Sequence, residues 1–316
     1  MRKVIGALLA VAVLCGSFSA PAAENKEYGL SFPTLANIFF VTLDEAVKGK
    51  AKELGVNVYS LEANNEVSRQ LSIVEDMITL GYAGLLLVPI ETDAVVPAVE
   101  KLNAAGIPVV TVDRRISPPE GSTATILAHV GADNVVGGEN AAKFIVDRLT
   151  KLYGEPKGTV IELYGFVGSG PAIDRSEGFQ RVMKQYPKIE VKTQTANFMR
   201  VDGMRVMEDF IMSTPQIDAV FGANDEMVMG AIEAMQASGK FDFSKVVTVG
   251  FDAIDDALQS IRDGVLTGTI EQFPGKQASL GFEVLHDFVS KGKKPSSSLI
   301  LIEPQVVHKG NINQLY

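Results

Sequence analysis

The sequence predicts an α/β protein built from two doubly wound parallel sheets. Three observations predict it. Short β-branched apolar runs, of which Ile107 to Arg114 (IPVVTVDR) is the clearest, read as strands buried on both faces. These runs alternate with segments of helical spacing, several of them stopped by a glycine, the signature of βαβ units. The alternation runs its course before Pro118-Pro119 and begins again after it, which implies two similar domains rather than one large sheet.

In order, Glu27 to Phe32 reads as the first strand. Phe39 to Leu54 has helical spacing at Phe40, Leu43, Val47 and Ala51, with Gly55 as its stop. Strand Asn57 to Leu61, helix Glu66 to Leu80 ended by Gly81, strand Gly84 to Val88 and helix Asp93 to Ala105 deliver the chain into IPVVTVDR. His129-Val130 then leads into a short crossing segment, Gly131 to Asn134. In the second series the expected helices are Val136 to Leu149, Ala172 to Tyr186, Val201 to Ser213 and Glu226 to Ser238. The strands between and after them are Thr159 to Leu163, Ile189 to Gln194, Ala219 to Gly222 and Val246 to Phe251. Thr267 to Ile270 runs on to Gln272, and Lys276 to Ser290 supplies a last helix. With no low-complexity linker, the chain is expected to cross between domains in short hinge segments.

Composition excludes several function classes. Of the 316 residues 46% are hydrophobic, enough for two cored domains. Arg2 and Lys3 precede the apolar stretch Val4 to Leu14, and Ala20-Pro21-Ala22 has the small residues of a cleavage site, so residues 1–22 read as a secretory signal peptide. Cys15, the only cysteine, follows Leu14 rather than a small residue, which argues against a lipid anchor. The formal net charge of −9 becomes about −11 without Arg2 and Lys3, an acidic balance that disfavours nucleic acid and anionic membrane. Export also removes ATP, NAD and the genome from the expected ligands.

The strand ends carry the chemistry. In a parallel α/β sheet, ligands bind beyond the carboxyl ends of the strands. There IPVVTVDR ends on Asp113-Arg114, an acceptor-only carboxylate beside a rigid fork of donors, suited to a small molecule with many hydroxyls. Asn224-Asp225, Asp252 and Gln272 end three further strands. Taken singly, Asp113-Arg114 also reads as a salt-bridged strand end, and each of the others more often as a turn former or a helix cap. Together they point hydrogen-bonding groups at one crevice.

The chain resembles the ribose-binding proteins of bacterial ABC importers, of the type also related to LacI-like sensor domains. The likeness covers almost all of it from about Tyr28. It is carried by LANIFF (Leu35 to Phe40), TVDR (Thr111 to Arg114), ADNVVGG (Ala132 to Gly138), DRSEGF (Asp174 to Phe179), GANDEMVMGA (Gly222 to Ala231) and VGFDA (Val249 to Ala253). The resemblance implies two Rossmann-like domains joined by a three-segment hinge: residues 26–132 plus 273–301, and 133–272 plus 302–316. It also implies a monosaccharide held between aromatic faces. Phe39 and Phe40 would supply them from the first domain and Phe198 from the second, with Asn37, Asp113, Arg114, Arg175, Asn224, Asp252 and Gln272 taking the hydroxyls. Arg175, read at the start of a helix and against its dipole, is expected to have a compensating partner. Two positions depart from the family: Pro33 stands where a serine contacts the sugar, with Thr34 as the expected substitute, and Ile38 stands where proline is usual.

The implied partners are the sugar and an ABC permease, with a chemoreceptor as a further docking partner and the protein itself a monomer. No cofactor, metal, nucleic acid or catalysis is expected. The rival readings are weaker. The loop Gly165 to Gly170 (GFVGSG) is like a phosphate-binding loop, but its glycines fall in the reverse order of the dinucleotide fingerprint. A LacI-type regulator would need a DNA-binding headpiece where the leader stands. His129, His286 and His308 are scattered and read as structural or exposed.

Overall fold

The computed structural model describes residues 26–315; the expected leader and its cleavage site lie outside them. The first half alternates β1 (Glu27–Phe32), α1 (Ile38–Leu54), β2 (Asn57–Glu62), α2 (Val67–Leu80), β3 (Gly84–Leu87), α3 (Val96–Ala104), β4 (Val109–Val112) and β5 (Ala128–Ala132). The second runs α4 (Asn134–Tyr153), β6 (Gly158–Tyr164), α5 (Gly170–Met183), β7 (Ile189–Thr195), α6 (Arg200–Ser213), β8 (Ala219–Gly222), α7 (Asp225–Ser238), β9 (Val247–Phe251), α8 (Asp255–Asp263) and β10 (Gly268–Glu271). The chain closes with α9 (Pro274–Lys291), β11 (Leu299–Ile302), β12 (Gln305–His308) and α10 (Ile312–Leu315).

Two six-stranded sheets result, ordered β11-β5-β4-β3-β1-β2 and β12-β10-β9-β8-β6-β7. The first is parallel throughout, and in the second only β12 runs antiparallel. Their strands feed cores on both faces. Leu86, Val110 and Val112 enter one cluster with Ala278, Phe282 and Leu285 of α9, while Leu85, Leu87 and Val109 enter the opposite one. Burial on both sides is why these strands read as unbroken apolar runs.

The chain passes from sheet to sheet three times, after β5, between β10 and α9, and between β11 and β12. Ile302 pairs with Ala132 in the first sheet, so the third passage falls at Glu303-Pro304, one residue later than the sequence reading put it.

Several boundaries differ from expectation. Asp133 is the N-cap of α4, its Oδ1 accepting from the Val136 N–H at 3.1 Å, so Asn134 opens a helix rather than ending a crossing segment. Helix α5 begins at Gly170, two residues early, which puts Arg175 in its second turn rather than its first. It stops at Met183, since Gln185 and Tyr186 form a turn before Pro187. Helix α3 begins three residues late, after a turn in which the Val96 N–H donates to the Asp93 carbonyl.

Two glycines fix the bearing of α5 on α4. A Cβ on Gly138 would stand 2.0 Å from the Arg175 carbonyl oxygen, and one on Gly178 would stand 2.0 Å from that of Val135. Only bare backbone permits this approach, and it sets where Arg175 emerges.

Candidate binding site

At the carboxyl ends of the strands the sheets face each other across a cavity lined by Asn37, Phe39, Phe40, Asp113, Arg114, Pro171, Arg175, Phe198, Asn224, Asp252 and Gln272. All ten residues singled out from the sequence meet there; Pro171 is the addition. A larger surface groove bordered by Tyr153, Met212 and Lys245 lies where strands of the second sheet begin, and contains none of the ten.

Strained backbone aims several of these side chains. Asp113 (φ 61°), Phe198 (φ 61°) and Asp252 (φ 116°) all have positive φ, as does Phe273 (φ 57°), which follows Gln272. At Asp113 the Arg114 N–H donates to the Val112 carbonyl at 2.6 Å, closing a three-residue turn that swings the chain out of β4. Such conformations cost about 1–3 kcal/mol each and concentrate at functional sites.

The two asparagines are caps and cavity walls at once. Asn37 Oδ1 accepts from the Phe39 N–H at 2.9 Å, opening α1. Asn224 Oδ1 accepts from the Met227 N–H at 3.0 Å, opening α7, and its Nδ2 donates to the Phe198 carbonyl. Phe39 and Phe40 meet edge to face at 5.2 Å and are 4% and 3% exposed, so most of each ring also serves the first core.

The charges form two facing pairs. Arg114 Nε lies 3.7 Å from Asp113 Oδ2 and Nη1 donates to the Ile90 carbonyl, while the guanidinium sits between the rings of Phe40 and Phe198 at 5.4 and 5.6 Å. The Nε itself is buried and makes no hydrogen bond among the described residues. Arg175 donates from Nε to Asn134 Oδ1 and from Nη1 to the Ala223 carbonyl, lies 3.7 Å from Asp252 Oδ1 and covers Phe251 at 3.7 Å. Its partners are thus Asn134, a carbonyl and Asp252, and the dipole argument does not apply in the second turn.

Burial dominates the ionisation of these groups. It lowers both arginines, Arg114 to about 10, and raises the Asp113 carboxyl against the pull of Arg114 and Arg175. Asp252 is pushed up to about 7, with Arg175 partly offsetting the burial.

Thr34 does not fill the place of the missing serine. Its Oγ1 donates to Glu62 Oε1 at 3.0 Å and accepts from the Ala36 N–H, and it lies outside the cavity lining. Ile38 is 45% exposed on the rim.

Contacts across the cleft close the cavity. Arg115 forms a two-pronged ion pair with Asp174, Nη2 donating to Oδ1 at 2.8 Å, and the Thr92 N–H donates to the Gly168 carbonyl at 3.2 Å. Phe166 packs against a core cluster of each half. The glycine-rich loop therefore meets the opposite half, with Glu91 beside Gly168, the wrong charge for a phosphate. The histidines are structural: His129 is buried against Thr111, His286 bonds Tyr28, and His308 accepts from the Gly310 N–H. Among the described residues no cluster of three His, Cys, Asp or Glu forms a metal site, and no helix is long and apolar enough to cross a membrane.

Sequence reading missed Asn134, taken as crossing segment, and Phe251, taken as strand. It also missed Arg115, which follows Arg114 directly but pairs with a residue 59 positions away.

Residues 28–294 match the sequence profile of the periplasmic binding protein domain. The ribose import binding protein of Bacillus subtilis (strain 168) is 40% identical over 289 residues, 90% of this chain and 90% of that protein. That of Escherichia coli (strain K12) is 36% identical over 292 residues, 92% of this chain and 94% of that protein. Among solved structures, the Caulobacter myo-inositol binding protein bound to myo-inositol superposes with a TM-score of 0.84 at 31% identity, covering 94% of this chain and 97% of that one.

Proposed function

The chain belongs to the periplasmic binding protein family, and from that premise we propose that it is the solute-binding protein of an ABC sugar importer, capturing a monosaccharide between its two sheets and delivering it to the permease. One observation carries the reading: ten side chains carried by both halves of the chain, aromatic rings, carboxylates, amides and guanidiniums, converge on one cavity. Phenyl rings bury the apolar C–H faces of a sugar, while the carboxylates, amides and guanidiniums take its hydroxyls. A buried hydroxyl left unmatched costs about 1–3 kcal/mol, so the arrangement selects stereoisomers as well as binding them.

The working cycle is hinge closure. The first body comprises residues 26–132 and 273–302, the second 133–272 and 303–315, and each holds part of the contacts, so sugar stabilises the shut form by differential affinity. The shut form docks on the permease, where ATP hydrolysis belongs to partner subunits, or on a chemoreceptor. The protein acts as a monomer, is exported by a leader spanning residues 1–22, and performs no chemistry on its cargo. D-ribose is the first-choice ligand, as for the relatives from Bacillus subtilis and Escherichia coli. Related proteins are named for xylitol and D-allose, so these and myo-inositol complete the test set.

A thermal-shift screen tests the ligand class. At a thousandfold excess over Kd a sugar stabilises by about 4 kcal/mol, a rise of several degrees in Tm. A shift with D-ribose alone supports the ribose reading; a shift with another member and not with ribose re-specifies the sugar; no shift with any of them sinks the class.

Affinity should depend on pH. A sugar hydroxyl donating to Asp252 favours its carboxylate, so binding releases the proton that the free protein holds below a pKa of about 7. Affinity therefore rises with pH up to about 7 and levels off above it. Titration calorimetry at pH 5.5 and pH 8 should show Kd up to about thirtyfold weaker at the lower pH, since pH 5.5 lies about 1.5 units below the pKa and each unit is worth a factor of ten. Equal values at both would mean that Asp252 does not accept from the sugar.

A further inference from the structure

Gln277, in the first turn of α9, is 0% exposed and lies outside the cavity lining. Its Nε2 donates to the backbone carbonyl of Gln272 at 2.7 Å and to Gln272 Oε1 at 3.3 Å, while its own Oε1 is buried and has no hydrogen-bond partner among the described residues. An apolar side chain would fill this space without stranding a carbonyl, so the donor end is what the position uses.

The directions of both amides follow from one fixed point. A backbone carbonyl can only accept, so Gln277 must turn its NH2 toward Gln272. The second hydrogen of that NH2 then holds Gln272 Oε1, which leaves Gln272 Nε2 facing Asp252, where it donates to Oδ1. Asp252 Oδ2 makes no hydrogen bond among the described residues, and Asp252 lines the cavity.

The geometry points to Gln277 as a positioning residue: through Gln272 it fixes the donor–acceptor polarity of the second body's half of the site, so that Asp252 presents an acceptor to a ligand hydroxyl. The inference rests on the sugar-binding reading above. Without Gln277 the Gln272 amide can turn, and its Oε1 then opposes the carboxylate.

The test is a double-mutant cycle by titration calorimetry with D-ribose, and with D-allose and myo-inositol as further probes, on Gln277→Met, Gln272→Ala and the pair. Met matches the volume and removes the donor. Gln277→Met is expected to weaken binding about tenfold. In the Gln272→Ala background the same change should cost little, because the group it orients is gone. The pH midpoint of binding should also move upward in Gln277→Met, since Gln272 favours the ionised form of Asp252. Far-ultraviolet circular dichroism and the ligand-free Tm establish that each variant is folded; if Gln277→Met is not, Gln277→Leu, which also has no donor, takes its place in the cycle. Additive losses with an unmoved midpoint overturn the relay while leaving sugar binding intact. A wild-type protein that binds none of the three sugars overturns both.

Discussion

Arg114→Ala is expected to weaken D-ribose binding by more than about a hundredfold. The guanidinium is buried between Phe40 and Phe198, 3.7 Å from Asp113, with its Nε free for a ligand acceptor. Removing it takes away the sugar's donors and leaves Asp113 buried without its nearest cation, a situation that costs about 3–5 kcal/mol where it has been measured. The carboxyl, already raised by burial, then holds its proton more firmly, so the site loses a charged acceptor as well as a donor. Calorimetry against the wild type is the direct measurement. Wild-type affinity in Arg114→Ala would remove Arg114, and the Asp113 pairing, from the site.

The second large effect is on stability. Gly138→Val should lower Tm by about 6–12 °C, because the new Cβ meets the Arg175 backbone oxygen at 2.0 Å and no side-chain rotation relieves a clash with backbone. Overpacking of this kind costs about 3 kcal/mol, at roughly 2–4 °C per kcal/mol for a domain of this size. Gly49→Ala is the internal control. A Cβ there, within α1, meets nothing within 4 Å, so the exchange should raise stability by about 0.5–1 kcal/mol through helix propensity alone. Calorimetric melts of both variants decide the matter. If Gly138→Val melts with the wild type, α4 and α5 do not approach as described, and the account of how Arg175 is placed fails with it.

What could be read from the sequence follows from where burial leaves a periodic trace. Leu85 to Leu87 and Val109 to Val112 are covered on both faces, so their strands stand out as continuous apolar runs, and Asp113-Arg114 stands out because the run stops there. Strand β11 carries an apolar run too, Leu299 to Ile302, although Leu299 and Leu301 are exposed on an edge, so an apolar run alone does not report burial on both faces; α8 is too short and charged to announce itself. Phe198, Arg175 and Asn37 were named through the family resemblance, not through any pattern of their own, although they do reach the same cavity. Backbone strain at Asp113 and Asp252 was not legible, because positive φ is imposed by the surroundings rather than by residue type. Pairings such as Arg115 with Asp174, or Gln277 with Gln272, depend on how two bodies or two elements sit together. No local window contains that information.

The bridge made by Phe166, the Arg115–Asp174 pair and the Thr92–Gly168 contact is indifferent to what fills the cavity. Its free energy therefore governs how often the empty protein is shut. Strengthening it would raise the equilibrium affinity for any cargo, because less of the binding energy would be spent on closure. It would also slow capture, since sugar can enter only through the open fraction. Substitutions at these three contacts, none of which lines the cavity, should thus exchange scavenging power at low sugar against throughput at high sugar.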